Sequence, residues 1–469
     1  MINTQLKSDW LKTQSELYPD NKFIYYDGKS YSYREIESLV SVAASKFFND
    51  GIKKNEYVFL TVKNNFNFII SLFALWKLNA IPVIVSAGFK ADELTKKIAL
   101  LKKSRTVNDN DLIIKNNRSY SGDSEYSGTA IIIFTSGSTG IPKAVELTFE
   151  NLYYSAVNSD SILKQTLGDK WLASLPFHHI GGFSVIIRAV LSGSSIIIPG
   201  EFTTSKIVEN IKYKPTLFSV VPTMLKRIVD FNVNCYLELK YILLGGAKCD
   251  LQLINKAMAQ NYPLLKVYGS TETSSFVAAN DLTDFNSNIE SAGKPTGDNI
   301  IEIDCRENES TGEVIVSGKS VAKRYLNNDP ALKNKLINGI FRTGDIGYHG
   351  ENNNLYILSR KDDMIITGGI NVYPAEIEKE LLKINYVSEA AVFSTESTEW
   401  GEQVNAAVVL KKRIPGEEIK TILKEKIVGY KVPKKIYVVN EFPKTSLGKI
   451  DKNKLKDITK KGDNLDSYR

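Results

Sequence analysis

An apolar run that leads straight into a loop of small polar residues constrains the fold of this chain more than any other feature. Residues 130–134 read Ala-Ile-Ile-Ile-Phe, which predicts a buried β-strand. The loop contains Thr135, Ser136, Gly137, Ser138, Thr139 and Gly140, and Lys143 closes it. Glycines let a backbone approach a phosphate, hydroxyl and N–H groups donate to its oxygens, and a lysine adds positive charge. The segment therefore predicts a loop that holds a polyphosphate.

The loop is not a Walker A motif, because that motif needs four residues between a glycine and a Gly-Lys-Ser/Thr sequence. Here Gly137 and Gly140 are three positions apart, and Pro142 precedes Lys143. A flexible surface turn of serine and glycine is the alternative interpretation. The buried strand before the loop and the lysine after it favour phosphate binding.

Size and composition limit the other possibilities. A chain of 469 residues is longer than one hydrophobic core usually supports, so two or more domains are expected. The net charge of +7 suits an anionic ligand, but no dense block of Lys, Arg and aromatic residues indicates nucleic acid. Three scattered cysteines, an N-terminus without a signal-peptide core and the lack of an apolar membrane span lead us to expect a cytoplasmic protein.

Short apolar runs alternate with helical patterns through about the first 280 residues, which predicts an α/β fold with largely parallel sheets. These runs lie at residues 57–61, 81–85, 130–134, 194–198, 217–221 and 241–244. Ser32 and Glu35 form a capping-box pattern that predicts a helix start. From about Gly293 short strands with tight turns predict a small β-subdomain, and the polar stretch 104–128 is expected to be a surface excursion.

The charged segment at residues 359–363 predicts a domain boundary, because the pattern changes on its two sides. Behind it, Pro374 is placed to begin a helix, and further strand and helix patterns predict a compact module of about a hundred residues. We therefore expect a large N-terminal domain at 1–358, a hinge at 359–363 and a small α+β domain at 364–469.

Three other segments carry polar residues that could bind a nucleotide. Thr271 and Glu272 follow an apolar run and offer a hydroxyl for phosphate and a carboxylate for Mg²⁺, although a capped helix start explains them equally well. Asp345 follows a tight turn and could hold ribose hydroxyls, but a turn-stabilising aspartate is the commoner case. Taken alone, Lys449 is typical of a solvated lysine in a lysine-rich tail.

Together these segments resemble the acyl-adenylate-forming superfamily, which includes acyl-CoA ligases, peptide-synthetase adenylation domains and firefly luciferase. Motifs of the family occur in family order at residues 135–143, 268–273, 341–345, 359–378 and 443–450. The resemblance covers nearly the whole chain and implies a large N-terminal domain with a mobile C-terminal lid. It also implies ATP, Mg²⁺ and CoA, and two steps: a carboxylate attacks ATP to give acyl-AMP and pyrophosphate, and a thiol then displaces AMP.

The resemblance implies roles for individual residues of the large domain. The loop that ends at Lys143 would cover the β- and γ-phosphates, Thr271 would contact the α-phosphate, and Glu272 would hold Mg²⁺. The adenine and acyl groups would be lined by Gly245, Gly246, Ala247, Tyr268, Gly269 and Ser270, with Tyr268 stacked on adenine. Asp345 and Arg360 would hold the ribose.

The resemblance assigns the C-terminal residues to two half-reactions. Lys449 would bridge the carboxylate and the α-phosphate during adenylation, because a cation between two anions lowers their repulsion. Rotation at Asp362 would then withdraw Lys449 and bring Gly368 and Gly369 to the CoA tunnel.

Two positions depart from the family pattern. Arg324 precedes Tyr325 where the family often has Gly-Tyr, and Ser359 replaces the usual glycine before Arg360. Both departures are expected to be peripheral to the chemistry.

The acid is predicted from His179 and Arg188. His179 lies at the family position beside the acyl group, and Arg188 is the single charge in the apolar run 183–190. A buried arginine needs a partner, because an unpaired buried charge is costly. A second carboxylate on the substrate would match the guanidinium as a bidentate pair, whereas a protein carboxylate or exposure to solvent is the alternative.

The pattern around His179 and Arg188 is similar to that of 2-succinylbenzoate–CoA ligases of menaquinone biosynthesis, whose substrate's aromatic carboxylate is held by an arginine at this position. The resemblance therefore implies that acid. A ligase for another aryl or fatty acid is the first alternative. A module that loads a carrier protein is less expected, because no carrier domain follows, and a non-catalytic homologue is disfavoured by Lys143, Glu272 and Lys449 together. Monomer and homodimer both remain open.

Overall fold

The computed structural model describes residues 5–461 except 62–64, 86–103, 113–118, 123, 136–142, 232–235, 285–286, 308, 327–331, 333, 369, 398–399, 413 and 445–449. The chain divides into two compact units, Met1–Glu302 with Ile315–Arg342, and Ile303–Val314 with Thr343–Arg469. Among the described helices, none combines the length and apolar character needed to cross a membrane.

Helices and strands alternate through the first unit, whereas strands dominate the second. In the described residues the α-helices are α1 (Trp10–Leu17), α2 (Tyr33–Asn49), α3 (Phe66–Lys77), α4 (Phe149–Leu163), α5 (Ile180–Ser192), α6 (Thr204–Asn210), α7 (Pro222–Asp230), α8 (Leu251–Ala259), α9 (Pro374–Leu382), α10 (Gly416–Lys424) and α11 (Lys452–Lys461). The strands of the first half are β1 (Lys22–Tyr26), β2 (Lys29–Ser32), β3 (Tyr57–Leu60), β4 (Ile81–Ile84), β5 (Ser104–Val107), β6 (Thr129–Thr135), β7 (Lys143–Thr148), β8 (Lys170–Leu172), β9 (Ser195–Ile198), β10 (Leu217–Val220), β11 (Tyr241–Leu244) and β12 (Leu264–Ser270). Those that follow are β13 (Ser275–Asp281), β14 (Lys294–Pro295), β15 (Ile300–Asp304), β16 (Gly312–Ser317), β17 (Arg324–Tyr325), β18 (Leu336–Ile337), β19 (Ile340–His349), β20 (Leu355–Arg360), β21 (Ile365–Thr367), β22 (Ile370–Val372), β23 (Val387–Ser397), β24 (Gly401–Leu410) and β25 (Lys435–Val438).

The largest sheet has nine strands in the order β14-β13-β12-β11-β10-β8-β9-β1-β2. Neighbours from β12 to β1 pair in parallel, and β2, β13 and β14 add antiparallel edges. Apolar residues of α6, α7 and α8 pack on the central strands. The carboxyl ends of parallel strands lie at one edge of a sheet. The residues after β11 and those at the end of β12 therefore lie at the same edge of this sheet.

The second sheet places the predicted phosphate loop. Its six strands run in the order β17-β7-β6-β4-β3-β5. Strands β3 to β6 pair in parallel, while β7 is antiparallel to both β6 and β17. The residues that join β6 to β7 are those of the loop, so the loop connects two adjacent antiparallel strands.

The expectation that residues 104–128 form a surface excursion is wrong at both ends. Ser104–Val107 is strand β5, which pairs with β3 at the edge of the second sheet, and Tyr126 is buried. A polar sequence can form an edge strand because pairing uses backbone groups, and alternate side chains can then face solvent.

A third sheet, β15-β16-β19-β18 with β20 also paired to β19, corresponds to the predicted β-subdomain, and the boundaries of the two units fall within its strands. The fourth sheet, β22-β21-β24-β23 with β25 parallel to β24, carries α9 and α10 over its apolar face. These elements confirm an α/β fold with mixed sheets and a small α+β C-terminal module. The hinge at residues 359–363 stays a prediction.

Candidate active site

The ends of the predicted phosphate loop lie side by side. Thr135, the last residue of β6, pairs in register with Lys143, the first residue of β7, and both are half-buried. Ser136, Gly137, Ser138, Thr139 and Gly140 lie outside the described residues. The structure therefore positions the two strands that hold the loop and the lysine that closes it.

The predicted metal and phosphate residues sit on a tight turn at the end of β12. A 3₁₀ turn at Thr271–Thr273 follows Ser270 directly. The Thr273 hydroxyl accepts from the Ser270 N–H at 2.8 Å and donates to the Ser275 carbonyl at 2.7 Å. These bonds close the turn on itself and fix the direction of Thr271 and Glu272.

Gly269 is required by the same turn. A Cβ at this position would lie 2.0 Å from the Ser275 carbonyl oxygen, so any other residue would push the two strands apart. Ser275 has φ +130°, a conformation that L-residues rarely adopt. Close approach at Gly269 and strain at Ser275 therefore form one local arrangement.

Glu272 is buried, and one segment of the chain bonds to both its side chain and its main chain. The Tyr325 hydroxyl donates to Glu272 Oε1 at 2.8 Å, and the Ala322 N–H donates to the Glu272 carbonyl at 2.7 Å. Within the described part of the chain, no donor bonds to Oε2 of this carboxylate.

The donor set around Glu272 fits Mg²⁺ better than a metal caged by protein alone. Within the described residues no group of three or more His, Cys, Asp or Glu side chains could hold a metal ion. Mg²⁺ is commonly bound by one or two carboxylates together with substrate phosphate oxygens. Glu272, whose Oε2 accepts no hydrogen bond from the described residues, is suited to that arrangement.

Strand β17 connects the Glu272 turn to the phosphate-loop strand. Tyr325 pairs with Val145 and Arg324 pairs with Glu146, both on β7. Strand β7 also contacts the 3₁₀ turn that carries Glu272. Lys143 lies two residues before Val145, so the structure brings the phosphate-loop lysine and the predicted metal ligand into one region.

Glu146 anchors this connection as a buried carboxylate with 1% exposure. It accepts hydrogen bonds from Thr129 at 2.5 Å, from Lys323 at 3.1 Å and from Arg324 at 2.6 Å. Burial raises the pKa of Glu146, but the bonds from its three partners outweigh burial and lower the pKa below its ordinary value. The carboxylate is therefore ionised and holds β17 against β7.

The residues predicted around adenine lie at the ends of the neighbouring strands β11 and β12. Gly245, Gly246 and Ala247 follow β11 directly, and Tyr268 is half-buried in β12. Gly246 has φ +82°, which favours glycine. The parallel pairing of β11 with β12 therefore places the glycine turn and Tyr268 at the same edge of the sheet, where the two strands end.

His179 stands at the start of α5. It occupies the N-cap position in an extended conformation, and its carbonyl accepts the Phe183 N–H at 2.9 Å. Its ring centroid lies 4.3 Å from that of His178, and both side chains are half-buried. The helix thus carries His179 at its first turn and Arg188 further along.

Arg188 is buried in the first unit with 1% exposure. Its Nε donates to the Ser159 hydroxyl at 3.1 Å, and a terminal nitrogen donates to the Ser275 hydroxyl at 3.0 Å. The guanidinium also lies over the rings of Phe276 and Trp171, at 4.8 Å and 5.6 Å from their centroids. Burial lowers the pKa of Arg188 to about 9, which leaves it charged at neutral pH.

Neither alternative considered for Arg188 from the sequence is seen. The guanidinium does not reach solvent, and no carboxylate of the described residues lies within 4.0 Å of it. Only two of its five N–H groups are used by the serines. Ser275 closes the Glu272 turn, so Arg188 is linked to the predicted metal ligand through that serine.

Three serines around Arg188 were missed by the sequence reasoning. Ser159 is on α4, Ser184 on α5 and Ser275 on β13, and the Ser275 hydroxyl donates to Ser184 at 3.4 Å. Ser184 and Arg188 are four residues apart, which puts them on one helix face and was the one available signal. The other two contacts join residues distant in sequence.

In the second unit, Asp345 and Arg360 face each other across β19 and β20. They pair in register, and Arg360 donates to Asp345 Oδ1 at 2.8 Å. The Asp345 N–H also donates to the Thr343 hydroxyl at 2.9 Å. The two residues predicted to hold the ribose are therefore neighbours.

The remaining predicted residues lie further along the second unit. Asp362 is in a 3₁₀ turn at Lys361–Asp363, and the Gly368 N–H donates to the Trp400 carbonyl at 2.9 Å. Gly369 and Lys449 lie outside the described residues.

Comparison with protein families identifies two matches along the chain. Residues 11–119 and 102–326 match the AMP-binding enzyme family, and residues 376–449 match the AMP-binding enzyme C-terminal domain. The first match includes the phosphate loop, the Glu272 turn and Arg188. The second covers most of the C-terminal module.

Curated relatives align over almost the full length. The 2-succinylbenzoate–CoA ligase of Listeria monocytogenes serotype 4b (strain F2365) is 31% identical over 467 residues, which covers 96% of this chain and 99% of the relative. The enzyme of the same name from Geobacillus sp. (strain WCH70) is 33% identical over 485 residues, covering 97% and 98%.

Solved structures show the same fold. The o-succinylbenzoate CoA synthetase (MenE) of Bacillus subtilis, in complex with the acyl-adenylate intermediate OSB-AMP, superposes with a TM-score of 0.87 at 29% identity and covers 96% of this chain and 98% of its own. The same enzyme in complex with ATP and magnesium ion gives a TM-score of 0.88 at 29% identity, covering 96% and 99%.

Proposed function

This chain belongs to the AMP-binding enzyme family and is an AMP-forming acid–thiol ligase, and we propose that its acid is 2-succinylbenzoate. The reaction converts 2-succinylbenzoate, ATP and CoA into 2-succinylbenzoyl-CoA, AMP and pyrophosphate, a step of menaquinone biosynthesis. The relatives that carry this name and the enzyme bound to OSB-AMP support the choice of acid.

The observation that carries the proposal is the buried guanidinium of Arg188, which has no carboxylate partner among the described residues. 2-Succinylbenzoate has two carboxylates, of which the one on the succinyl chain is activated and the one on the ring is not. The ring carboxylate would form a charge-assisted pair with N–H groups of Arg188 other than the two that bond to Ser159 and Ser275. An aryl acid without a second carboxylate would leave the buried cation unpaired.

In the first half-reaction a carboxylate oxygen attacks the α-phosphorus of ATP, and the bond to the bridging oxygen breaks to release pyrophosphate. The loop between Thr135 and Lys143 would hold the β- and γ-phosphates, and Thr271 the α-phosphate. Glu272 would hold Mg²⁺, which neutralises phosphate charge as pyrophosphate leaves. The residues do this by positioning and by charge, because phosphoryl transfer needs little covalent help.

The acyl-AMP would be bound mainly by the ends of β11 and β12. Tyr268 would stack on adenine beside Gly246 and Ala247, while Gly245, Ser270 and His179 would line the acyl group. Asp345, held by Arg360, would accept hydrogen bonds from the ribose hydroxyls.

The C-terminal module would act in both half-reactions. Lys449 would neutralise the attacking carboxylate and the α-phosphate during adenylation. A rotation at Asp362 would then remove Lys449 and bring Gly368 and Gly369 to the thiol of CoA. The sulfur attacks the acyl carbonyl, the thiol proton passes to solvent, and AMP leaves.

A screen of acids for pyrophosphate release tests this function. The full chain is incubated with ATP, Mg²⁺ and CoA, and with 2-succinylbenzoate, 4-oxo-4-phenylbutanoate, benzoate or a long-chain fatty acid. We expect 2-succinylbenzoate to give the highest kcat/KM, ahead of 4-oxo-4-phenylbutanoate, which differs from it only by the ring carboxylate. Equal use of these two acids, or a preference for the fatty acid, would reject the proposed substrate.

A further inference from the structure

Tyr325 follows Arg324, the residue that departs from the family pattern, and it has no assigned role in the proposed reaction. We propose that Tyr325 is a positioning residue that assigns the two oxygens of Glu272 to different tasks. It holds Oε1 by a hydrogen bond and leaves Oε2 to bind a divalent cation. This inference rests on the proposed function, because it takes Glu272 as the ligand of the Mg²⁺ that accompanies ATP.

The geometry around Glu272 supports this division. The Tyr325 hydroxyl lies 2.8 Å from Oε1, and no other described residue donates to the carboxylate. The hydrogen bond from Tyr325 occupies one lone pair of Oε1 and lowers the basicity of that oxygen, so a cation binds preferentially through Oε2. Partners of this kind orient metal ligands and usually affect metal affinity strongly.

The backbone of the same segment fixes the distance between Tyr325 and Glu272. The Ala322 N–H donates to the Glu272 carbonyl at 2.7 Å, so main chain and side chain of Glu272 are both bound by residues 322–325. A shift of this segment would therefore move the carboxylate as well.

Arg324 anchors the segment on its other side. It donates to the buried Glu146 at 2.6 Å, and the Leu326 N–H donates to the Ala144 carbonyl at 2.9 Å. Arg324 is thus not peripheral in position, because it ties β17 to the strand that leaves the phosphate loop. We assign it the role of holding Tyr325 in register with Glu272.

Single-oxygen binding has a consequence for the choice of cation. Mg²⁺ requires a near-octahedral set of oxygens at short distances, whereas Ca²⁺ accepts both oxygens of one carboxylate. With Oε1 held by Tyr325, Glu272 suits Mg²⁺ better than Ca²⁺. Loss of the Tyr325 hydroxyl should weaken the binding of Mg²⁺ and Mn²⁺. The difference between their affinity and that of Ca²⁺ should therefore become smaller.

Metal binding measured without turnover tests the inference. Mn²⁺ binding to the full chain is followed by electron paramagnetic resonance with a non-hydrolysable ATP analogue, and Mg²⁺ and Ca²⁺ are titrated as competitors. We expect Tyr325→Phe to weaken Mn²⁺ and Mg²⁺ binding about tenfold and Ca²⁺ binding less. Tyr241→Phe is the matched control, because the Tyr241 hydroxyl donates to Asp281 at 2.6 Å away from this turn, and it should change neither.

The role of Arg324 is tested in the same assay. Arg324 is exposed, so Arg324→Gly should fold, and we expect it to weaken Mn²⁺ binding less than Tyr325→Phe does. If Arg324 acts through Tyr325, the double variant binds Mn²⁺ no more weakly than Tyr325→Phe alone. Additive losses would remove Arg324 from the proposal.

Glu272→Gln separates failure of this inference from failure of the proposed function. If Glu272→Gln loses Mn²⁺ binding but Tyr325→Phe keeps the wild-type affinity, the positioning role of Tyr325 is wrong and the metal ligand stands. If Glu272→Gln keeps the wild-type affinity, the metal assignment in the proposed function is wrong and the inference falls with it. Circular dichroism confirms that each variant is folded.

Discussion

Two buried charges of the first unit, Glu146 and Arg188, differ in the partners that surround them. Glu146 accepts from two cations and a hydroxyl, and the resulting bonds lower its pKa. Arg188 donates only to hydroxyls among the described residues, and burial lowers its pKa. Each has 1% exposure, so the contrast lies in the partners and not in the depth.

The difference distinguishes a structural charge from one that is suited to a ligand. Glu146 is neutralised within the protein and joins β6, β7 and β17. Arg188 has a fixed orientation but no opposite charge among the described residues, which is the arrangement expected when a substrate supplies that charge. If this distinction holds, a change at Glu146 alters stability and a change at Arg188 alters substrate choice.

Lys449→Ala should give the largest loss of activity, because Lys449 is assigned to the adenylation step with every acid. We expect acyl-AMP formation, measured by pyrophosphate release, to fall about a thousandfold. Thioester formation from supplied acyl-AMP should be largely retained, because the lysine is used in only one half-reaction. Lys444→Ala is the control nearby, and equal losses in both half-reactions would contradict this division.

Arg188→Met should affect one acid and leave the fold intact. We expect kcat/KM for 2-succinylbenzoate to fall by about 3 kcal/mol, roughly a hundredfold, because the ring carboxylate loses its partner. The value for 4-oxo-4-phenylbutanoate should change little. The midpoint of thermal unfolding should be unchanged or raised, since an apolar side chain of similar volume replaces a buried charge that has no carboxylate partner among the described residues. A large loss of stability would show that Arg188 is structural, as Glu146 is.

Ser275→Gly should reduce the preference for 2-succinylbenzoate, but less than Arg188→Met does. It removes the hydroxyl that bonds Arg188 and relieves the strain at φ +130°. We expect the preference for 2-succinylbenzoate over 4-oxo-4-phenylbutanoate to fall about tenfold. Ser275→Ala, which keeps the strain, should lose the same preference. If only one of these variants loses it, the backbone and not the hydroxyl determines substrate choice.

Glu146→Gln should change stability and not the preference between the two acids. We expect the free energy of unfolding to fall by about 1–2 kcal/mol, because neutral glutamine replaces a charged acceptor of three hydrogen bonds. The pKa of Glu146 is lowered from 4.5 in the folded state, so its contribution is present above pH 4.5 and is lost as the pH falls through the folded value. Thermal unfolding at pH 7 and pH 4 should therefore show a smaller difference between wild type and variant at the lower pH. A changed acid preference would contradict the separation.

Local features of the fold were predictable because they depend on neighbours in sequence. The capping box at Ser32 forms as expected, with the Ser32 N–H bonded to Glu35 at 2.6 Å and the Glu35 N–H bonded to the Ser32 hydroxyl at 3.2 Å. The predicted strand at 241–244 matches β11, and the helix predicted at Pro374 is α9. Periodicity and capping determine such elements before tertiary packing does.

The surroundings of the site could not be predicted in the same way. Arg188 is correctly predicted to be buried, but its serines come from elements 29 and 87 residues away. The bond between Tyr325 and Glu272 spans 53 residues. No local pattern encodes such pairs, because they arise from how strands and helices are stacked. The prediction for Ser104–Val107 was wrong for a related reason, because pairing with β3 makes this polar segment a strand.

The position of β17 at the edge of the second sheet has a consequence for biosynthesis. Its residue Arg324 bonds to Glu146, which lies 178 residues earlier in the chain. At a translation rate of 5–20 residues per second, β17 is therefore synthesised about 9–36 seconds after β7. Until then β7 is an open edge with apolar residues, a template for aggregation. The two-residue strand that finally caps it is flanked by Lys323 and contains Arg324, charges that discourage further strands from adding to the finished sheet.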